Sequence, residues 1–222
     1  MKRKFVLSII LAAMVVSGGA IGYYYWYQGE HYVSTEDARI AGDIYRIMPR
    51  MSAKLTALTI HDGDVVAAEQ VVGQQDTGNV QLHQLENALL RAPISGTVLK
   101  TMAKVGEVVS PGQTIAMVVD ESKLYVSANI EETEIQRIHA GQPVEITVDA
   151  YPDVTLPGEV VEIGQATNAT FSLLPATNTS GNFTKVVQRI PVKIAIHDQA
   201  GLDLATGMNA TIKIQVKGTE GE

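Results

Sequence analysis

Two stretches of the chain carry the same pattern 43 positions apart. Ser52-Ala53-Lys54-Leu55 leads to Asp62-Gly63-Asp64-Val65-Val66 and Gln70, and Ser95-Gly96-Thr97-Val98 leads to Val105-Gly106-Glu107-Val108-Val109 and Gln113. Each copy reads as a small-residue turn, a strand, a glycine turn before an acid, and paired valines opening another strand. A half of this size has too little apolar surface to close a core alone. Two interlocking halves of one small sandwich satisfy the pattern, and the stretch between them becomes the informative one.

The charges divide unevenly along the 222 residues. Lys2, Arg3 and Lys4 precede an uncharged run of 23 residues, 5–27, and no acid occurs before Glu30. The rest of the chain holds 14 basic against 24 acidic residues, a formal −10, which argues against a nucleic-acid partner because phosphate needs a basic surface. The run exceeds the roughly 20 residues needed to cross a hydrocarbon core. Its basic N-terminal flank keeps that end in the cytoplasm, and Tyr23-Tyr24-Tyr25-Trp26-Tyr27 suits the far interface. A signal peptide cut near Ser17, Gly18, Gly19 or Ala20 is the competing reading, and it exports the same domains. The chain has no cysteine, so disulfides, lipoprotein anchoring and thiolate chemistry are all excluded.

Residues 28–35 read as a polar exit and 37–44 as a leading strand. After Asp120 the texture changes. Residues 123–130 alternate as a strand, 131–139 suit a short helix stopped by Gly141 and Pro143, and Val144-Glu145-Ile146-Thr147-Val148 is a half-buried strand. Further strands are expected at 156–163, 185–196 and 210–216, making a second, antiparallel β domain. Beyond residue 27 only Tyr32, Tyr45, Tyr125, Tyr151, Phe171 and Phe183 are aromatic, so the cores must be aliphatic.

Little in the sequence points to catalysis. His31, His61, His83, His139 and His197 are scattered without metal-ligand spacing. Glu131, Glu132, Glu134 and His139 are read as a solvated face, not a metal cluster. There is no nucleophile elbow and no phosphate loop. No catalytic residue, cofactor or metal is expected.

The two repeat halves, Arg91-Ala92-Pro93-Ile94-Ser95-Gly96-Thr97-Val98 at the opening of the second, and the stretch 125–148 resemble the HlyD family of membrane fusion proteins. Phe171-Ser172-Leu173-Leu174-Pro175-Ala176, Gly181-Asn182-Phe183 and Lys185-Val186-Val187-Gln188-Arg189-Ile190-Pro191-Val192 resemble its EmrA-type multidrug efflux adaptors. The resemblance implies a mainly β chain: an N-terminal transmembrane helix, a lipoyl-like barrel-sandwich hybrid, and a small antiparallel β-barrel with one short helix. The division is 1–27 cytoplasmic tip and anchor, 28–46 linker and leading strand, 47–122 sandwich, 123–217 barrel and 218–222 tail. Within the sandwich the halves are 47–76 and 90–120, joined by 77–89.

The resemblance further implies a non-catalytic, single-pass inner-membrane adaptor whose bulk lies in the periplasm or outside the cell. Its partners would be an inner-membrane transporter, here a major-facilitator drug/proton antiporter, and other copies of itself in a ring. An ABC-type peptide or protein secretion system and a solitary envelope binding module are the alternatives. A lipoate or biotin carrier is disfavoured, because residues 77–84 hold no lysine.

Relatives that reach a TolC-like outer-membrane channel carry a long helical hairpin between the halves. Here Asp76 and Leu90 are separated by 13 residues, which span only ~20 Å even as one helix. Contact with a TolC-like channel therefore lacks a physical basis. The contact sites expected are Phe171, Leu173, Leu174 and Phe183 in the loop 166–184, for a partner or substrate. Gly18, Gly19 and Gly22 would serve docking between membrane helices.

Overall fold

A computed structural model describes residues 2–78, 82–167, 170 and 187–216, with the side chains of residues 2–10, 12 and 82–84 outside the description. A 30-residue helix, α1 (Lys2–His31), opens the chain and extends about 45 Å. Leu11, Met14, Val15, Val16, Ile21, Tyr23, Tyr24, Tyr25 and Trp26 are each more than half exposed along it. Among the described residues no helix is long and apolar enough to cross a membrane; the side chains of 5–10, the start of the apolar run, lie outside them.

Among the described residues fourteen strands follow: β1 (Tyr32–Ala41), β2 (Ile44–Ile47), β3 (Ala53–Leu58), β4 (Val65–Val66), β5 (Val71–Gln75), β6 (Leu89–Arg91), β7 (Gly96–Thr101), β8 (Val108–Val109), β9 (Ala116–Val119), β10 (Tyr125–Glu131), β11 (Pro143–Val148), β12 (Thr155–Ile163), β13 (Arg189–Ile196) and β14 (Asn209–Gln215). The chain forms two units. One comprises residues 1–39, 126–202 and 208–222, the other residues 40–125 and 203–207.

The second unit is a sandwich of two four-stranded sheets, ordered β2-β9-β7-β4 and β6-β5-β3-β8. Each sheet takes two strands from each repeat half, so the halves interlock. The repeat survives at the level of single hydrogen bonds. Val98 N–H donates to Asp64 C=O and Gly63 N–H to Val98 C=O, both at 2.8 Å; 43 positions away, Leu55 N–H donates to Glu107 C=O and Gly106 N–H to Leu55 C=O, also at 2.8 Å.

The repeated side chains serve their own turns. Asp64 Oδ2 accepts from His61 N–H at 2.8 Å and Glu107 Oε2 from Lys104 N–H at 3.2 Å. Gln70 Oε1 accepts from Ala67 N–H at 2.8 Å and Gln113 Oε1 from Ser110 N–H at 3.4 Å. Gly63 and Gly106 have φ of 89° and 100°, a left-handed conformation that glycine adopts without a Cβ clash. Inside, Ile47, Leu55, Val72, Leu90, Val98, Ile115 and Val118 form an aliphatic core with no aromatic member.

The first unit closes a six-stranded barrel in the order β1-β10-β13-β12-β11-β14. Val144, Ile146 and Val148 on β11 alternate inward, as do Ala210, Ile212 and Ile214 on β14. The register of β1 against β14 slips between Thr35 and Ala38, so that Val33 and Ala38, five positions apart, are both buried.

Three expectations are corrected. The polar exit of residues 28–35 is helix as far as His31 and barrel strand from Tyr32, with no linker between. The single leading strand at 37–44 is the end of β1 and the start of β2, broken near Gly42, where a Cβ would approach Val119 Cγ2 to 2.5 Å. The short helix at 131–139 is only a 3₁₀ turn, Ile135–Arg137. The strand β10 persists to Glu131 and Ile138 must turn inward, at 3% exposure, leaving too few residues to nucleate an α-helix.

Candidate contact surfaces

The junction of α1 with the barrel is built to be stiff. Gly29, Glu30 and His31 end the helix, and their carbonyls would be orphaned there. Arg137, projecting from the 3₁₀ turn, donates through Nη2 to Gly29 C=O at 2.9 Å and to Glu30 C=O at 2.6 Å. Its Nη1 meets Glu134 Oε2 at 2.5 Å, which aims the guanidinium. The His31 carbonyl accepts from Val216 N–H at 2.9 Å, extending the β1–β14 ladder into the helix end. The Tyr27 and His31 rings stack at 4.0 Å. A cation at the negative end of the helix dipole adds favourable electrostatics to these bonds.

Beside this junction, the outer wall of the barrel carries a groove of about 390 Å³. Tyr32, Pro143 and Pro157 give it apolar walls, and Glu145, Glu159, His197 and Lys213 place both signs of charge along it. Lys213 Nζ lies 4.0 Å over the Tyr32 ring, and His197 Nε2 is 3.4 Å from Glu159 Oε2. These residues come from β1, β11, β12 and β14, with His197 just past the end of β13, and register brings them side by side, so no local motif announces them. They fit recognition; none is a nucleophile with an adjacent base.

The carboxylates with shifted acidity are tied into structure. Burial pushes Asp37 up, but the Asn129 hydrogen bond and the Arg189 guanidinium outweigh it and hold its carboxyl below the usual range. Asp62 is lowered first by the Thr101 hydroxyl and then by the Thr101 N–H. Asp120 is lowered first by Ser122 and then by Lys123. Glu134 pairs with Arg137, and Glu132 N–H donates to Gln188 C=O at 2.9 Å. Among the described residues no group of three or more histidines and acids is placed to hold a metal ion.

Gly18, Gly19 and Gly22 lie along α1, and an added Cβ at any of them would meet nothing within 4 Å. Phe171, Leu173, Leu174 and Phe183 lie outside the described residues. The connection between the repeat halves leaves β5 at Gln75 and enters β6 at Leu89, two strands paired at Gln74↔Leu89. Between them runs a 3₁₀ segment, Leu82–Ala88, preceded by Asp76 Oδ1 accepting from Gly78 N–H at 3.0 Å. Val80 and Gln81 fall outside the description.

Known proteins share this arrangement. The barrel-sandwich hybrid domain of RND membrane fusion proteins matches residues 43–121, and the YknX-like β-barrel domain matches 124–214. The candidate efflux system component YhbJ of Bacillus subtilis (strain 168) is 40% identical over 193 residues, covering 84% of this chain and 81% of that protein. The multidrug export protein EmrA of Escherichia coli (strain K12) is 37% identical over 142 residues, 62% of this chain but only 36% of that protein. This chain thus spans four-fifths of one relative and little over a third of the other. In fold, a MacA-MexA chimeric protein containing the Pseudomonas aeruginosa MexA α-hairpin domain superposes with a TM-score of 0.65 at 17% identity, over 85% of this chain and 83% of that one.

Proposed function

Since the chain belongs to the membrane fusion protein family, we propose that it is the non-catalytic adaptor of an efflux or export assembly, coupling an inner-membrane transporter to the exterior. The observation that carries this is the 40% identity to a candidate efflux component across four-fifths of that protein's length. In this reading α1 is a single-pass anchor with its N-terminus in the cytoplasm and both β units outside. Support comes from the three basic residues before the uncharged run and from the apolar side chains α1 exposes on every face, a pattern that a lipid or protein surround would bury.

The transporter is proposed to be a major-facilitator drug/proton antiporter, as the resemblance of residues 171–192 to EmrA-type adaptors implies, and the adaptor to act as a ring of copies. Gly18, Gly19 and Gly22 give α1 a face for close approach of transporter helices. Phe171, Leu173, Leu174 and Phe183 are proposed as partner or substrate contacts.

The short connection reads as a natural trait of this branch. YhbJ matches over 193 residues that make up 81% of it, leaving little length for a long hairpin, whereas EmrA has nearly two-thirds of its length outside the match. Such an adaptor would act at the membrane and not bridge to a TolC-like channel.

Affinity purification of the full chain from its native membrane in a mild detergent tests the proposal. Co-purification of a transporter with about a dozen hydrophobic spans is expected. Recovery without any multi-span protein would overturn it, and recovery of an ATP-binding cassette protein would redirect it to peptide or protein export.

A further inference from the structure

The sandwich carries a concentration of positive charge that its acidic composition does not foreshadow. Arg46 on β2, Arg50 just beyond it and Arg91 at the end of β6 line one concave cleft of about 270 Å³. The cleft lies between strands that are each the outermost of their sheets, β2 in one and β6 in the other. These strands are repeat mates, since Arg46 corresponds to Leu89 and Met48 to Arg91 at the 43-residue offset, and the cleft runs where the two halves face each other. Its one acid is Glu69.

Two observations separate this cleft from an ordinary scatter of surface arginines. Arg46 and Arg50 make no hydrogen bond or ion pair among the described residues, so their charges are left facing the cleft. Arg91 is instead fixed, because its Nη1 donates to the Glu69 carbonyl at 2.8 Å. That carbonyl is aimed by an unusual backbone: Glu69 has φ of 62°, a left-handed conformation that a side chain disfavours, and its repeat mate is Gly112 at φ of 90°. Glu69 N–H is held in turn by the Ala92 carbonyl at 2.8 Å. The first half therefore retains a strained residue where the second uses glycine, and the strained residue positions the cleft's central guanidinium.

We propose that the β2–β6 cleft is a binding site for a phosphate-bearing anion. Three guanidiniums against one carboxylate leave a net positive charge in a concave site, and guanidinium forks match phosphate oxygens in paired hydrogen bonds. The volume admits one or two phosphate groups and is too small to enclose a drug-sized molecule. The phosphate could come from a soluble diphosphate or from a lipid headgroup. The site is independent of the adaptor role, as it needs no transporter.

Calorimetric titration of the full chain in a neutral detergent with pyrophosphate, and separately with glycerophosphoglycerol, the deacylated headgroup of phosphatidylglycerol, tests this. Saturable binding of at least one probe is expected; tighter binding of pyrophosphate points to a soluble source, and tighter binding of glycerophosphoglycerol to a lipid. The Arg46→Ala/Arg50→Ala variant should bind at least about tenfold more weakly with an unchanged melting temperature. Glu69→Gln, which removes the one opposing charge, should bind more tightly. Absence of binding by the unaltered chain, or equal binding by the double arginine variant, overturns the proposal.

Discussion

Gly96 lies against the backbone of Val119: a Cβ on Gly96 would stand 2.1 Å from the Val119 carbonyl oxygen and 2.8 Å from its carbonyl carbon. The contact sits at the start of β7, which pairs with β9 from Thr97↔Val119 onward. Its repeat mate, Ala53, carries a side chain, so the closeness belongs to the second half and not to the repeat as such.

Gly96→Ala should therefore cost more than about 3 kcal/mol, because the strand must move to relieve the overlap. Gly63→Ala should cost only about 1 kcal/mol, since its Cβ would meet nothing and only the left-handed φ of 89° is unfavourable. Chemical denaturation of the two variants side by side checks the difference; equal losses would mean the Val119 contact is not what fixes Gly96.

Arg137→Met should leave the barrel folded and loosen the end of α1. The loss is about 1–2 kcal/mol, from two charge-assisted bonds to helix carbonyls in a partly exposed setting. Hydrogen exchange at residues 27–32 should accelerate while β11 and β14 stay protected, and uniform acceleration would argue against a local junction.

Acid should weaken the sandwich through Asp62. The Thr101 hydroxyl, and then its N–H, hold this carboxyl below the usual carboxylate range, so its folded pKa is lower than its unfolded one. Its contribution is complete above the unfolded pKa and is lost as pH falls through the folded pKa. Asp62→Asn should be less stable at neutral pH and show a shallower decline as the pH falls below the ordinary carboxylate range. A decline identical to that of the unaltered chain would remove Asp62 from the acid response.

A flexible insertion of about 20 residues between Thr77 and Gly78 should be tolerated, with a melting temperature lowered by less than about 5 °C. The pairing of β5 with β6 fixes the register on either side, and the added loop entropy is the main cost. The same insertion after Gly106 should unfold the sandwich, because Gly106 N–H and Glu107 C=O both bond Leu55 there.

The parts of the fold legible in the sequence were those written in local spacing. The turn formed by Gly63 and Asp64, its copy at Gly106 and Glu107, and the alternation of Val144, Ile146 and Val148 each state their structure within a few residues. The membership of β1 in the barrel was not legible, because it depends on pairing Tyr32 with Gln215 at the other end of the chain. Arg137 stands in no motif of the sequence; its role appears only when α1 ends within reach. The cleft of Arg46, Arg50 and Arg91 was hidden for the same reason, its members lying on strands whose adjacency no local pattern encodes.

The interlocked halves and the end-to-end barrel also set a timetable for the chain as it is made. No sheet of the sandwich can be completed until β8 and β9 have emerged, since each needs strands from the second half. The barrel waits longer: β1 is the first strand synthesised, yet its partner β14 is the last among the described residues. The sandwich can therefore mature while the barrel is still an open sheet, and for that interval the edges of β1 and β11, both waiting for β14, stand unpaired.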